Sequence, residues 1–253
     1  MASHPTSGPE SRFFGDREID PAEKTPLVQG VFRSVAARYD LMNDLMSGGI
    51  HRLWKRDFVA QVAPRAGESL LDVAGGTGDI AFRLKERAPE ACVTVVDLTE
   101  AMVRVGRDRS FDRGAHAGIS WCVGNAEALP LADRSVDAVT IAFGLRNVAN
   151  IDQALGEFRR VLKPGGRFLC LEFSRVVLPA LAQIYDRYSD AVLPRLGQLV
   201  AGDADSYRYL VESIRRFPDQ PALMKRMAAA GFEAVRHRNL TGGIAAVHSA
   251  WRV

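Results

Sequence analysis

Cysteine is scarce in this chain of 253 residues, and the three present, Cys92, Cys122 and Cys170, are odd in number and far apart. That spacing suggests neither a disulfide framework nor a metal site, and each thiol, set in an apolar β-like run, is expected to be buried and free in a reducing compartment. Long apolar runs are also missing, since none approaches the roughly 18 residues that a bilayer span requires. The N-terminus lacks the basic start and apolar core of a secretory signal. A cytoplasmic protein is therefore expected, with peripheral contact at the inner face of a membrane left open. Charge of one sign is equally short: the formal net charge is +3, and the basic residues are interspersed with acids, so no nucleic-acid partner is expected.

What remains is an ordinary globular balance, 47% hydrophobic and 25% charged, which argues against general disorder. Residues 1–24 mix Ser, Pro, Gly and charge without periodicity and read as a flexible tail. Residues 25–253 read as a single domain. From Val28 to Val62 apolar residues recur at helical spacing, giving short helices over 27–62 that precede the main fold. From Ser69 the pattern changes to short apolar runs alternating with amphipathic stretches, as in a parallel sheet covered by helices. The predicted strands are Ser69–Ala74, Cys92–Leu98, Ile119–Val123, Val136–Ala142 and Arg167–Phe173. Helices are predicted over Asp79–Arg87, Ala101–Arg109 and Ile151–Leu162. Two final strand-like runs, Phe232–Leu240 and Ile244–Val253, are separated only by Thr241-Gly242-Gly243, a link too short for a parallel crossover. The fold class is thus α/β, a Rossmann-like doubly wound sheet whose last strand is antiparallel, and it resembles the seven-stranded class I methyltransferase architecture.

The first turn of the doubly wound unit reads LLDVAGGTGDIA over residues 70–81. Gly75, Gly76 and Gly78 allow the backbone to turn tightly and approach a ligand at the crevice where such sheets bind one. Asp97, about twenty residues on, ends the second strand, where a carboxylate can accept hydrogen bonds from both ribose hydroxyls. The segment from Gly76 to Ala81 also satisfies the G-x-G-x-x-G/A dinucleotide pattern, so an NAD(P)-dependent oxidoreductase competes. Asp79 opposes that reading, because a carboxylate in the first helical turn competes with a pyrophosphate for the same positive helix end. S-adenosylmethionine has no phosphate there. After the third strand, Asn125 in GNAEALP can both donate and accept. The plainer alternative is that Asp72, Asp97 and Asn125 only cap turns.

With these residues in place, the chain resembles the ubiquinone and menaquinone biosynthesis C-methyltransferases, the UbiE family, over nearly all of residues 27–253. The resemblance is carried by YDLMNDLMSGGIHRLWKRD at 39–57, LLDVAGGTGDIA at 70–81, GNAEALP at 124–130, FGLRNV at 143–148, RVLKPGGRFLCLEFS at 160–174 and GDADSYRYLVESI at 202–214. It implies that Thr77, Asp97, Asn125 and Ala126 contact S-adenosylmethionine and that a prenylated quinol is the substrate. Within that set, Asp72, Gly75, Gly76, Gly78 and Ala142 complete the expected cofactor cradle. Two positions depart from the pattern: Ala74 stands where many methyltransferases carry glycine, and Ala142 where members often carry serine.

Methyl transfer to an aromatic carbon needs in-line attack on the sulfonium, and ionising a ring hydroxyl makes that carbon a better nucleophile. Arg146, just past the fourth strand, is the candidate for stabilising the phenolate, against the alternative that it ties down a loop through carbonyl bonds. Tyr39 and His51 come from the N-terminal helices, which can fold over the cofactor as a lid; His51 is a candidate base or a packing histidine beside Trp54. The segment 176–231 carries Leu178, Leu181, Ile184, Tyr185, Tyr188, Val192, Leu196 and Leu199 at helical spacing. It is either core or a greasy mouth for a polyprenyl tail, with Arg187 and Arg195 near lipid headgroups. A nucleic-acid methyltransferase would be expected to carry a Pro-Pro-aromatic motif where this chain reads AFGLRN. A methyltransferase acting on another small aromatic and a non-catalytic cofactor-binding scaffold complete the alternatives. No metal is expected. The choice of benzoquinol or naphthoquinol stays open, as does assembly into a homodimer or a quinone-biosynthesis complex.

Overall fold

A computed structural model describes residues 13–35, 44, 47–179 and 204–253. Seven strands form one sheet: β1 (Ser69–Val73), β2 (Cys92–Asp97), β3 (Ile119–Val123), β4 (Val136–Ala142), β5 (Leu162–Phe173), β6 (Glu233–Leu240) and β7 (Ala245–Trp251). Their spatial order is β3-β2-β1-β4-β5-β7-β6. Strands β1 to β5 are parallel, and β7 is antiparallel to both β5 and β6. Gly242 and Gly243, at φ +64° and +96°, supply the left-handed backbone that lets so short a turn join β6 to β7. Strand β5 starts earlier than its sequence suggests. Leu162 pairs with Val136 and Arg167 with Ala138, so Lys163-Pro164-Gly165-Gly166 bulges out of the ladder.

The helices are α1 (Pro21–Val35), α2 (His51–Val62), α3 (Asp79–Arg87), α4 (Glu100–Asp112), α5 (Ile151–Val161), α6 (Ala204–Arg216) and α7 (Gln220–Ala229). Strand alternation sorts the core into two layers. Leu70, Val93, Leu169 and Leu171 pack with Trp54, Phe58 and Val62 of α2 and with Ile80 and Leu84 of α3. Leu71, Val139, Ile141, Phe168 and Cys170 face the other way, against Leu155 and Phe158 of α5 and Leu223 and Met227 of α7. Both faces of the parallel strands are covered, which is why these strands read as near-continuous apolar runs. Helix α2 is pinned to the far end of the sheet by Trp54, whose indole Nε1 donates to Thr241 Oγ1 at 2.9 Å.

Two expectations change. The stretch read as a tail contains a small antiparallel ribbon, Phe13–Phe14 with Arg17–Glu18, and α1 already begins at Pro21. The anchor is aromatic: Phe14 stacks on Tyr209 of α6 with ring centroids 4.3 Å apart. Of the three thiols only Cys170 is buried; Cys92, the first residue of β2, is exposed, and Cys122 is half-buried. Cys92 stands at the very start of its strand, where it is exposed despite its apolar neighbours.

Trp121 of β3 lies flat behind the glycine-rich turn, so that a Cβ at Gly106 in α4 would overlap its indole. Gly156 in α5 meets nothing within 4 Å. Helix propensity alone favours alanine at both sites by about 1 kcal/mol. Urea unfolding should therefore show opposite signs: Gly156→Ala stabilising by about 0.5–1 kcal/mol, and Gly106→Ala destabilising by about 1–3 kcal/mol through overpacking. Stabilisation by both would show that the Trp121 contact yields freely.

Candidate active site

Strand order reverses between β1 and β4, and a cleft of about 710 Å³ opens at their carboxyl ends. Its position is that of a small-molecule site at a topological switch point. The chain leaves both strands under strain. Ala74 and Phe143, the residues just past β1 and β4, adopt left-handed backbone at φ +49° and +57°, a conformation costing about 1–2 kcal/mol for a residue with a Cβ. Such a left-handed conformation suits glycine, the residue that the resemblance leads one to expect at position 74. The two exits nearly touch, because a Cβ on Gly144 would sit 2.6 Å from that of Ala74.

The wall formed by β1 and β2 is held by Asp97. Its Oδ2 accepts from Gly76 N at 2.9 Å and its Oδ1 from Thr99 N at 2.8 Å. Burial pushes its pKa up, while these backbone donors oppose the shift. Each oxygen keeps lone-pair capacity for a ligand hydroxyl. Gly76 adopts φ +55°, with nothing within 4 Å of where a Cβ would stand, so its backbone is bare toward the cleft. Past β3, Asn125 Oδ1 accepts from Glu127 N at 2.9 Å, an Asx turn that fixes the carboxamide beside the cleft. Asp97, Gly76, Asn125 and Ala126 all line this cleft, together with Leu98 and Met102. Helix α1 closes it from above: Thr25, Val28 and Gln29 line it, and Gln29 Nε2 donates to Leu98 O at 3.1 Å.

The rest of the expected cradle faces elsewhere. Asp72, Gly75, Thr77 and Ala142 line a smaller hollow, about 340 Å³, together with Lys55, Asp79 and Ile80. Ala74 lines both cavities, so they meet at the strained exit of β1. Thr77 Oγ1 accepts from Arg109 Nη1 at 2.9 Å. Gly78 faces neither cavity and instead makes room for Trp121. Asp72 is 1% exposed; its Oδ1 accepts from Thr140 Oγ1 at 2.8 Å, while Oδ2 has no partner. Desolvation pushes its pKa up to about 7. Asp79 is neutralised by Lys55 Nζ at 2.8 Å and Arg83 Nε at 2.9 Å; although burial alone would raise its pKa, these cations hold it below the usual range. The sequence argument that Asp79 repels a pyrophosphate therefore loses its force, since the side chain carries no uncompensated charge.

Of the expected catalytic residues, neither Arg146 nor His51 lines the cleft. Arg146 is 5% exposed, and its Nη1 donates to Glu172 Oε1 at 2.7 Å and to Phe143 O at 2.6 Å. It lines a separate small hollow with Lys24 and Tyr209. This is the carbonyl-binding role weighed against phenolate contact, extended by a buried ion pair. The pair stiffens the turn Leu145–Asn147, whose Asn147 does line the cleft and accepts from Tyr209 Oη at 3.0 Å. His51 is buried with Nε2 2.8 Å from Asp44 Oδ1, and burial first, then Lys55, lowers its pKa. It lines none of these cavities, which supports the packing role weighed against the base reading. Tyr39, with Asp40 and Asn43, lies outside the described residues, as do Leu181 to Leu199 of the expected apolar stripe and Arg187 and Arg195. Leu178 is described and is 54% exposed. Sequence reasoning missed Asn147, Met102, Glu127 and Lys55. Glu127 had a signal within GNAEALP; its Oε1 accepts from Ala149 N and Asn150 N and joins the loops after β3 and β4. Lys55 likewise lay within the motif at 39–57, but nothing in an amphipathic helix says which charged residue will be buried.

Residues 20–252 match the model of the ubiE/COQ5 methyltransferase family. The ubiquinone/menaquinone biosynthesis C-methyltransferase UbiE of Paracoccus denitrificans is 55% identical over 246 residues, covering 97% of this chain and 98% of its own. The protein of the same name from Dinoroseobacter shibae is 53% identical, covering 95% and 96%. Among solved structures, a SAM-dependent methyltransferase from Thermotoga maritima superposes with a TM-score of 0.65 at 21% identity, covering 89% of this chain and all of its own. Geranyl diphosphate C-methyltransferase from Streptomyces coelicolor A3(2) gives 0.58 at 17% identity, covering 82% of each chain. These two likenesses concern the fold.

The unpartnered Asp72 yields a prediction on stability. An aspartate with a folded pKa near 7 holds a proton that the unfolded chain has released above about pH 4, so it makes the fold less stable as pH rises between those limits. Relative to Asp72→Asn, the wild-type chain should lose about 1.4 kcal/mol per pH unit between pH 5 and 7 and little beyond. Denaturant titrations at several pH values measure this, and a difference independent of pH would mean that Asp72 is ionised throughout.

Proposed function

The chain belongs to the ubiE/COQ5 methyltransferase family, and from that premise we propose that it methylates a ring carbon of a prenylated quinol with S-adenosylmethionine as donor, in ubiquinone or menaquinone biosynthesis. The observation that carries the reading is near end-to-end identity of 53–55% with proteins named for that reaction. The cavities fit the donor. Asp97 is set for a vicinal diol, Asn125 for a heterocycle edge, and the bare Gly76 for close backbone approach. The orphaned Asp72 oxygen suits a buried cation. When bound, the donor supplies an electrophilic methyl group on a sulfonium. The protein's part is to exclude water, hold the acceptor carbon in line and favour the ionised hydroxyl that enriches that carbon.

In this reading Arg146 is a positioning residue. Fixed by Glu172 and the Phe143 carbonyl, it sets the turn that presents Asn147 to the cleft. Tyr39 stays our candidate for contact with the acceptor ring. A prenyl tail is insoluble in water, so the acceptor is drawn from a membrane surface by a peripheral protein. Exposed Val177 and Leu178, beside the segment 180–203, are consistent with that approach. No helix among the described residues is long and apolar enough to cross a membrane.

The direct test incubates the protein with methyl-labelled donor and chemically reduced, demethylated benzoquinones and naphthoquinones. Label is expected on ring carbon of at least one ring type, and label on neither would refute the substrate. Arg146→Ala should lower turnover by about 100-fold, the scale of a misplaced active-site loop, while adenosylhomocysteine affinity changes by less than about threefold. Unchanged turnover would remove Arg146 from the mechanism.

A further inference from the structure

At the β6 edge of the sheet, away from the cleft between β1 and β4, three side chains from three elements converge. His237 of β6 stands directly opposite His248 of β7 in the antiparallel register, and Met224 of α7 reaches His237. Residues opposite one another on adjacent strands share a face. The next residue, Arg238, points the other way and pairs with Asp57 of α2. His237 Nδ1 and Met224 Sδ are 3.0 Å apart, and the two imidazole rings have centroids 5.8 Å apart. His248 is 1% exposed. Its Nε2 lies 3.3 Å from Gln220 O, and because a carbonyl only accepts, that nitrogen carries the proton. Nδ1 is then a bare lone pair, buried and without a partner. Burial lowers the ring's pKa to about 4, so the imidazole is neutral near pH 7. A neutral histidine that donates through one nitrogen to a backbone carbonyl and keeps a lone pair on the other is in the state of a metal ligand.

The separations match those of ligands on one ion. Bonds of about 2.0 Å to nitrogen and about 2.3 Å to sulfur, meeting at about 90–120°, put those two atoms roughly 3.0–3.7 Å apart. Two imidazoles on one ion have centroids roughly 5–6 Å apart. A weak N–H···S hydrogen bond accounts for the His237–Met224 contact alone and leaves His248 Nδ1 unmet. We propose that His237, His248 and Met224 form a binding site for a soft monovalent metal ion, Cu(I), which fastens α7 to the β6–β7 hairpin. The ligands select the ion. Among the described residues no group of three or more His, Cys, Asp or Glu side chains could hold a metal ion, so Zn(II) and harder ions lack a full set. Cys170, the register partner of His248 on β5, extends the row without completing such a group. A thioether beside two imidazoles favours Cu(I). His237 is exposed and Met224 half-buried, which gives the ion a path from solvent. No spacing in the chain announces the site, because a helix and two strands each supply one ligand.

Ag(I), a soft monovalent ion that needs no reductant, is the first probe. It is titrated in chloride-free buffer into a Cys92→Ser, Cys122→Ser background, because the two more accessible thiols compete for the same ions. Calorimetry should show one ion per chain, bound at least about 100-fold more tightly than Zn(II), and Cu(I) supplied anaerobically should displace it. Met224→Leu, which conserves side-chain volume, and His237→Gln, at an exposed position, should each weaken binding by about 10-fold or more. Side-chain nitrogen spectra give a readout that stability does not move: the Nδ1 resonances of His237 and His248 should both shift on binding. No binding, an affinity unchanged by both substitutions, or a His248 Nδ1 resonance that stays in place with the ion bound would overturn the site. Equal affinity for Zn(II) would overturn its selection of a soft ion.

Discussion

The Asp97 carboxylate is the tie on which the site depends. By accepting from Gly76 N on one side and Thr99 N on the other, it fastens the loop leaving β1 to the end of β2 and to the start of α4. Without it the left-handed run through Ala74 and Gly76 would have no reason to persist, since a strained backbone survives only where its surroundings over-determine it. The same carboxylate stays open to the cleft, so one group both builds the wall and forms part of the binding surface. The close passage of Gly144 against Ala74 repeats this logic between β1 and β4, with absent side-chain volume doing what the carboxylate does between β1 and β2.

Around this frame, buried charges divide by whether the protein satisfies them. Arg146 and Glu172 satisfy each other through Nη1 and hold the turn, although Arg146 Nε keeps no partner. His51 is met by Asp44 on one nitrogen only. Asp72 keeps one oxygen without a partner in the hollow it shares with Lys55 and Asp79, which pair with each other. Incomplete buried polar groups are rare enough in folded proteins that each calls for a partner, an ordered water or a ligand. Burial raises the Asp72 pKa to about 7.

Much of this was legible in the chain. The short apolar runs around Leu70–Leu71 and Phe168–Leu169 marked the strands, while which residue faces which layer shows only in the structure, because both positions are apolar. The three-residue link Thr241–Gly243 determined the antiparallel ending, because so short a chain cannot cross over. The glycine turn, Asp97 and GNAEALP marked three strand ends and hence the cleft, and the longer family motifs marked the chemistry. Local rules also misled: the mixed composition of residues 1–24 hid the Phe14–Tyr209 stack, and the β-like run around Cys92 hid its exposed position.

What only the tertiary structure decided is how charges pair across elements that are distant in sequence. Asp79 reads as an exposed acid at a helix start until α2 brings Lys55 against it, and Arg146 reads as a free cation at the sheet edge until β5 brings Glu172. The division of the cofactor residues between a cleft and a hollow is likewise invisible in LLDVAGGTGDIA, since it follows from the backbone turn at Ala74 and from which face each residue presents after it. Spacing and periodicity specify an element; the electrostatic state of a side chain depends on distances across the fold, and those exist only once the chain has packed.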